Sequence, residues 1–555
     1  MKGRVAVKRS RHFLACSLVL IALGLRFAAD VRAQPAPEAK PGTPVTQAPS
    51  VDAGAPDAVA PSTSAAPTPT PPETAPSADA GTPETAPAAP ASPAAPATEE
   101  APSTGSGLFE QSLGGAPPSE GAAASETGTP RNFDFGGYVR GDMFVGKFPG
   151  VKQPEVKAGY GELSLKLNVK KERYGDAFAE ARIRYGLQDH EQKVILDLRE
   201  AYVNAYLGPL DLRLGQQIIV WGRADAFNPT NNISAIDLRV HSPVEDDRRL
   251  GNVGLRAFLN FEPMRLEGVW MPLYVPTELP RGVVPDIVTF AQPDFPDTGL
   301  ERSLGALRAH LELPSFETSV SYLYGYAPLP GFALSNVVTG PNPEVQVSRT
   351  AYNQHVVGFD FSTAIGDVFA LRGEAAYRRP LHWEDKPYAP HPDLQYVIGA
   401  DKTFDTVSVI AQYMGRYVFD WKLEPGSPRP LNENVLILAG PPPVPPLILD
   451  PILAGLDLEL RKRNQILFSQ RAKVQHLATL RIEWLTMHDT LSLSALGMMN
   501  FTSKESLLFP KLSYKMSDSL STAIGAELYS GPEDTLFGLI EAELSAGYAE
   551  LRYSF

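Results

Sequence analysis

Over residues 131–555 the side chains alternate between apolar and polar with a period of two. Within 162–170, leucine and valine occupy every second position, and charged or polar residues stand between them. Successive side chains of a β-strand point to opposite faces, so each such stretch predicts a strand with one apolar and one polar face. The pattern returns at 177–185, 210–214, 304–313, 407–413, 491–495 and 520–528.

The connections between these stretches distinguish a membrane barrel from a soluble β protein. Short turns are predicted near 171–175, 208–211, 262–264, 314–316, 365–367, 404–406, 486–489 and 517–518. They alternate with mostly longer loops near 147–157, 187–192, 223–249, 276–302, 327–349, 380–392, 418–464, 502–505 and 531–539. This alternation is typical of transmembrane barrels, which close because backbone groups in lipid must pair internally. We therefore predict an all-β fold, a transmembrane antiparallel β-barrel of about 18 strands (16–18) over 131–555.

Residues 1–33 have the pattern of a signal peptide. Five Lys/Arg residues precede the apolar run 13–25, and Val31-Arg32-Ala33 offers a cleavage site before Gln34. The run is shorter than the ~20 residues that span a bilayer, although an uncleaved anchor helix is the alternative. Cleavage would also remove Cys16, the only cysteine, and with it any disulfide or cysteine metal site.

Residues 34–130 form a Pro/Ala-rich acidic segment with 21 prolines in 97 positions, eleven acidic residues and Lys40 as the only base. Such a composition cannot bury a core, so we predict a disordered periplasmic segment. It is either a spacer or a tether that reaches a periplasmic or cell-wall partner. The chain as a whole has a formal charge of −13 and no basic stripe, which argues against nucleic acid as a partner.

The carboxyl end, Glu550–Phe555, alternates polar residues with Leu551, Tyr553 and Phe555. It resembles the closing strand of bacterial outer-membrane barrels, and the resemblance implies that these three residues are the signal read by the barrel-assembly machinery. Tyrosines near strand ends are predicted to form interfacial girdles in contact with outer-membrane lipid. They are Tyr322, Tyr324, Tyr326, Tyr377, Tyr413, Tyr417 and Tyr529.

Several short motifs resemble those of large porin-like outer-membrane β-barrel proteins of proteobacteria. They are Leu212–Gln217 with Trp221-Gly222-Arg223 and Asn228-Pro229, then Val357–Phe361, Arg372–Tyr377 and Gln412–Gly415. The resemblance implies the outer membrane of a Gram-negative bacterium and a channel or export role, without naming a substrate.

The polar face of an 18-stranded barrel would line a lumen wide enough for water. Its strand residues Arg182, Arg184, Arg213, Arg372 and Glu374 carry both signs of charge, either as a salt-bridged wall or as a field that orients solutes. Loop 223–249 is the third long loop, which folds inward as the constriction in general porins. Its candidate residues are Asp237, Arg239, Glu245, Asp246, Asp247, Arg248 and Arg249, and the alternative is an ordinary surface loop.

Loop 418–464 contains the apolar runs 435–438 and 447–449 around a proline-rich stretch, 441–446. Exposed apolar patches of this kind usually mark an interface. We expect a lid over the pore; a lumen plug, a lipid contact, a partner site and packing on neighbouring loops are the alternatives.

No motif for catalysis is present: the sequence has no G-x-S-x-G elbow, phosphate loop or H-E-x-x-H, and the histidines lack metal-ligand spacing. We predict no enzyme, no cofactor and no metal. The predicted function is a porin-like channel that passes polar or charged solutes, gated by 223–249 and 418–464. The alternative is a barrel anchor or export component of an envelope-spanning complex, contacted through 34–130.

Overall fold

The computed structural model describes residues 133–148, 150–171, 173–188, 191–225, 228–280, 288–297, 299, 302–366, 368–424, 426 and 433–555. The predicted signal peptide and the Pro/Ala-rich segment lie outside these residues. The strands, numbered along the chain, are β1 (Phe133–Gly146), β2 (Glu155–Lys171), β3 (Gly175–Gln188), β4 (Glu191–Leu207), β5 (Leu210–Gln217), β6 (Asn252–Phe261), β7 (Met264–Met271), β8 (Val288–Phe290), β9 (Leu304–Leu313), β10 (Phe316–Tyr326), β11 (Gly331–Val338), β12 (Glu344–Thr350), β13 (Asn353–Ile365), β14 (Phe369–Pro380), β15 (Asp393–Phe404), β16 (Val407–Val418), β17 (Val474–Thr486), β18 (Leu491–Asn500), β19 (Ser506–Lys515), β20 (Leu520–Ser530) and β21 (Ala546–Ser554).

Eighteen of these strands form one closed antiparallel barrel, in agreement with the prediction. Each strand pairs with its neighbours along the chain, and β1 pairs with both β2 and β21, which closes the sheet. Beyond β21, the N–H of Phe555 donates to the carbonyl of Gly137 at 3.0 Å, and the N–H of Gly137 donates back at 2.9 Å. The remaining strands, β8, β11 and β12, form a small separate sheet within the long loops.

The polarity of the two faces of the barrel wall is the reverse of that in a soluble protein: polar side chains point inward and apolar side chains point outward. On β2, Glu162 and Ser164 point inward and are buried, whereas Leu165 points outward and is exposed. Large apolar side chains are exposed in the same way on the other strands, for example Leu307 on β9 and Ile398 on β15. An apolar outer belt of this extent is unfavourable in water and stable in lipid, so the fold is a transmembrane barrel.

The two ends of the barrel differ in their connections. The eight predicted short turns all lie at the end that carries both termini of the barrel, which we call the short-turn end; the other is the long-loop end. The connection predicted as a longer loop at 187–192 is instead tight, because β3 and β4 stay paired as far as Gln188 and Glu191. The long loops between strands include 218–251, 272–303, 327–352 and 419–473.

Three α-helices lie in the described parts of the long loops: α1 (Glu433–Leu438) and α2 (Pro446–Leu467) between β16 and β17, and α3 (Leu536–Leu544) between β20 and β21. Among the described residues, no helix combines the length and apolarity needed to cross a bilayer. Both α2 and α3 contribute to one apolar cluster with inward side chains of the long-loop half of the wall. Its members include Leu460, Ile466, Phe537, Ile540, Val397, Met414, Leu477, Met498 and Phe509.

Four of the tyrosines predicted to form girdles are exposed on the outer face, as a girdle requires, and one is not. Tyr322, Tyr324, Tyr377 and Tyr413 are exposed on the outer face. Tyr529 is buried instead, because odd-numbered residues of β20 point inward and its ring packs against the helical cluster.

Candidate solute pathway

The loop between β5 and β6, residues 218–251, crosses the inside of the barrel, and we call it the inner loop. At one wall, Asp247 lies 2.7 Å from Nη2 of Arg140 on β1. At the other, Nε of Arg223 lies 2.9 Å from Asp360 on β13. These strands are the first and the tenth of the barrel, so they face one another across the lumen. The inner loop therefore spans the lumen from wall to wall.

Further contacts tie the inner loop to the remaining wall. The indole N–H of Trp221 donates to Glu267 on β7 at 3.1 Å, and Arg481 on β17 lies 2.7 Å from Asp225. Most of these wall partners lie near the middle of their strands. The inner loop is consequently held at about mid-height in the barrel.

Local sequence explains how the inner loop reaches this position. Ile219, Trp221 and Ile233 pack with inward apolar residues of β7, β9, β10 and β13 into a second apolar cluster. Between them the backbone turns at Gly222, which has φ +111°, and a Cβ there would collide with the Asn228 side chain. A glycine is required at this position because L-residues rarely adopt such a φ.

Asp247 is the centre of a buried charge cluster. Its carboxylate lies 2.6 Å from Nη1 of Arg182 and 2.7 Å from Arg140, and the hydroxyl of Ser242 donates to it at 2.5 Å. Burial raises the pKa of Asp247, but the guanidinium groups of Arg140 and Arg182 outweigh burial and hold that pKa well below its usual range. The inner loop is thereby fixed to β1 and β3 by charge.

Glu374 on β14 anchors the start of the inner loop. The backbone N–H groups of Arg223 and Ala224 donate to its carboxylate, and so does the hydroxyl of Thr230 at 3.0 Å. The neighbouring Arg372 donates to the carbonyl of Arg223 at 3.1 Å. Two of the candidate strand residues therefore position the inner loop backbone.

The other candidate residues pair with nearby groups. On the wall, Arg184 lies 2.5 Å from Glu162, and Arg213 stacks over the Tyr202 ring at 4.1 Å. In the inner loop, the pairs are Asp237 with Arg239 at 2.7 Å, Asp246 with Arg249 at 3.0 Å, Glu245 with Arg249 at 3.6 Å, and Arg248 with Glu527 at 2.8 Å.

Asp237 and Arg239 lie away from the wall cluster, beside Glu278 of the next long loop. Four other charged residues of the inner loop pair with side chains of the barrel wall: Arg223, Asp225, Asp247 and Arg248. Sequence reasoning singled out Arg182 and Asp247 but missed Arg140, Arg223 and Asp360. Arg140 lies two residues after Tyr138 on β1, so both side chains point inward. This alternation was the sequence signal that could have identified Arg140 as a lumen residue.

In the described part of the chain, no group of three or more His, Cys, Asp or Glu side chains is arranged to hold a metal ion. The charged groups of the pathway form acid–base pairs within the wall, within the inner loop and between the two.

Comparisons with known proteins give the following similarities. A family model described as a protein of unknown function, DUF1302, matches residues 135–261. No curated protein matches the chain. Among solved structures, the chain is similar to OccAB4 of Acinetobacter baumannii (11% identity, covering 78% of this chain and 100% of that one, TM-score 0.43). It is also similar to OccK2 (OpdF) of Pseudomonas aeruginosa, solved with glucuronate (9%, 76% and 96%, 0.44), and to a BenF-like porin from Pseudomonas fluorescens (9%, 77% and 99%, 0.43). The sequence motifs at 212–217, 357–361, 372–377 and 412–415 also resemble those of porin-like barrels.

Proposed function

We propose that the chain is an outer-membrane channel that passes polar or charged solutes, with the inner loop as its constriction. The observation that carries this proposal is the inner loop itself, which crosses a polar lumen at mid-height and is tied to opposite walls through Arg140 and Asp360. A barrel that served only as an anchor has no need of such a loop.

The walls beside the inner loop carry both signs of charge in close pairs. Arg140, Arg182 and Arg184 alternate with Glu162 and Glu180 on neighbouring strands. Paired charges keep the lumen wet and present local dipoles rather than one dominant sign. We infer a pathway for small polar solutes of either charge, in which the size of the constriction is the first filter.

The two proposed gating loops differ in how they are held. The inner loop has buried ion pairs on several strands, so we propose that it is a fixed constriction. Among the described residues of loop 418–464, α2 packs its apolar face into the cluster inside the barrel, while Leu438 and Leu447 at the tip of the loop are exposed. We therefore assign gating to α2, which would act as a lid at the long-loop end.

The test is single-channel conductance of the purified full chain in a planar bilayer. A matched variant replaces 421–471 by a short Gly/Ser turn, which the geometry allows because the N–H of Val418 donates to the carbonyl of Lys473 at 2.8 Å. Steady conductance of the intact chain would support the channel. If the intact chain passes no current and the shortened variant conducts, both the channel and the lid would be supported. If neither protein passes current, the channel would be overturned.

A structural role in an envelope-spanning complex is the second candidate. It is favoured by the acidic Pro/Ala-rich segment 34–130, which a simple channel does not need and which lies outside the described residues. Silence in both bilayer experiments, together with capture of a periplasmic protein by 34–130, would support this role.

A further inference from the structure

A cavity of about 110 Å³ lies on the long-loop side of the inner loop. Inner loop residues 228–236 form one side of the cavity. The long-loop ends of β13 to β16 form a second side, and loop residues including Tyr352 and Phe468 cover it. A cavity needs roughly 10–15 Å³ to hold one ordered water, so this cavity has room for a small solute. It lies where a solute entering from the long-loop end would meet the constriction.

Several neutral polar groups of this cavity are buried and have no hydrogen-bond partner among the described residues. Both ends of the Asn231 amide, 5% exposed, are unpaired, and so are Oε1 of the fully buried Gln395 and Nδ1 of His391. The Gln395 amide is oriented by its other end, because Nε2 donates to Asp393 at 3.1 Å. A buried polar atom left unpaired costs about 1–3 kcal/mol, so a bound solute that pairs with these groups would be stabilised.

The charged groups of the cavity are two guanidinium groups, those of Arg378 and Arg416, which share the one carboxylate of Asp393. Arg378 donates to both oxygens of Asp393 at 2.8 and 2.7 Å, and Nε of Arg416 lies 3.0 Å from the same carboxylate. The Nη1 group of Arg416 donates to the carbonyls of Phe468 and Ser469 at 2.6 and 2.9 Å. The groups of the cavity without a protein partner include amides and an imidazole, which offer both donors and acceptors.

We propose that this cavity binds an uncharged polyhydroxylated solute, of the class of neutral monosaccharides. A hydroxyl group both donates and accepts, so it can satisfy the oxygen and the nitrogen of Asn231 as well as the oxygen of Gln395. A carboxylate only accepts and would leave those two oxygens unpaired. Ala327, Pro328 and the Phe468 ring supply apolar surface for the C–H faces of a sugar.

The site deepens the proposed channel function and rests on it, because a solute reaches the cavity through the lumen. Two measurements separate the two claims. Binding of glucose to the purified full chain in detergent is followed by tryptophan fluorescence, since the Trp383 ring lies beside that of His391, with ring centroids 5.0 Å apart. Ion current through the same protein in a bilayer is recorded with and without glucose.

The variants are Asn231→Leu and Gln395→Leu, with Gln188→Leu as control. Gln188 is a buried inward amide on β3, away from the cavity lining. We expect saturable glucose binding and interrupted current in the native chain, at least a tenfold loss of affinity in each cavity variant, and no loss in the control. Ala327→Phe, which fills the cavity without touching its amides, is expected to abolish binding as well. A heat-dependent shift in gel mobility shows that each variant is folded.

Glucuronate, which carries a carboxylate in place of one hydroxymethyl group, is the comparison ligand and is expected to bind at least tenfold more weakly. Glucuronate that binds as well as glucose would overturn the assigned ligand class. A conducting barrel with no glucose binding would overturn the site and leave the channel standing. Glucose binding by a silent barrel would keep the site and overturn the channel.

Discussion

Arg248 and Glu527 are 279 residues apart in the chain, and their side chains meet inside the barrel. Nη2 of Arg248 lies 2.9 and 2.8 Å from the two carboxylate oxygens of Glu527, and both side chains are buried. This pair joins the inner loop to β20. Breaking one half of such a buried pair leaves an uncompensated charge, whereas replacing both halves by apolar residues is often neutral.

We expect Glu527→Ala to loosen the inner loop and lower the free energy of unfolding by about 3–5 kcal/mol. Single-channel current should become noisier and larger on average. The double variant Arg248→Met with Glu527→Leu should restore quiet current, because no charge is left unpaired. Glu541→Ala, at an exposed position on α3, is the control. Unchanged current noise in Glu527→Ala would contradict the role of this pair.

Asp247→Asn should shift ion selectivity towards anions. The substitution removes one negative charge from the constriction and leaves Arg140 and Arg182 without their shared partner. The reversal potential in a KCl gradient measures the change. Asp385→Asn alters an exposed loop residue and should have no effect. An equal shift in both variants would mean that Asp247 does not face the pathway.

Glu245 should make ion selectivity depend on pH near neutrality. Burial raises the pKa of this inner loop carboxyl to about 7, although Arg249 opposes the rise. Above that pH the group is ionised and adds a negative charge to the constriction. The cation-to-anion permeability ratio should therefore rise between pH 6 and pH 8. Glu245→Gln should remove this step, and a step that persists in the variant would assign it to another group.

The docking of α2 should depend on its buried face. Leu460 is 5% exposed within the apolar cluster, whereas Leu447 on the same helix is 88% exposed. Leu460→Asp should release the helix, and trypsin should then cut the folded barrel at the basic residues 461–463. Leu447→Asp should stay resistant. Equal resistance of the two variants would show that apolar packing does not hold α2.

Phe555 should be needed for assembly in cells. Its ring is exposed on the outer face near Phe135, with ring centroids 6.4 Å apart. We expect Phe555→Ala to lower the amount of folded barrel in the outer membrane several-fold, while refolding of the purified chain in detergent continues. Phe404→Ala changes another exposed aromatic residue at the short-turn end and serves as control. Equal amounts of both variants in the membrane would remove Phe555 from the predicted signal.

The barrel could be predicted in detail because its information is local. The alternation within 162–170 is a property of one strand, and β2 shows the predicted inward position of Glu162. The position of Tyr529 shows where prediction from local sequence fails. A tyrosine near a strand end suits a lipid interface, but the register of β20 turns this one towards the helical cluster.

The candidate site could be predicted only in part. Loop 223–249 was identified by its place in the loop order and its charges, and the structure places it inside the barrel. Its partners could not be identified, because Arg140 and Asp247 are brought together only when the barrel closes. The cavity at Asn231 and Gln395 has no sequence pattern at all, since amides are common in loops and on polar strand faces.

The sequence by itself determined that this chain forms a membrane barrel of about 18 strands and that each strand has one apolar and one polar face. Each strand must present one apolar face to the bilayer, so apolar and polar residues alternate along the sequence of each strand. Only the tertiary structure decided how the lumen is divided. The path of the inner loop, the docking of α2 and the cavity between them depend on contacts between residues far apart in the chain, which closure of the sheet brings within reach.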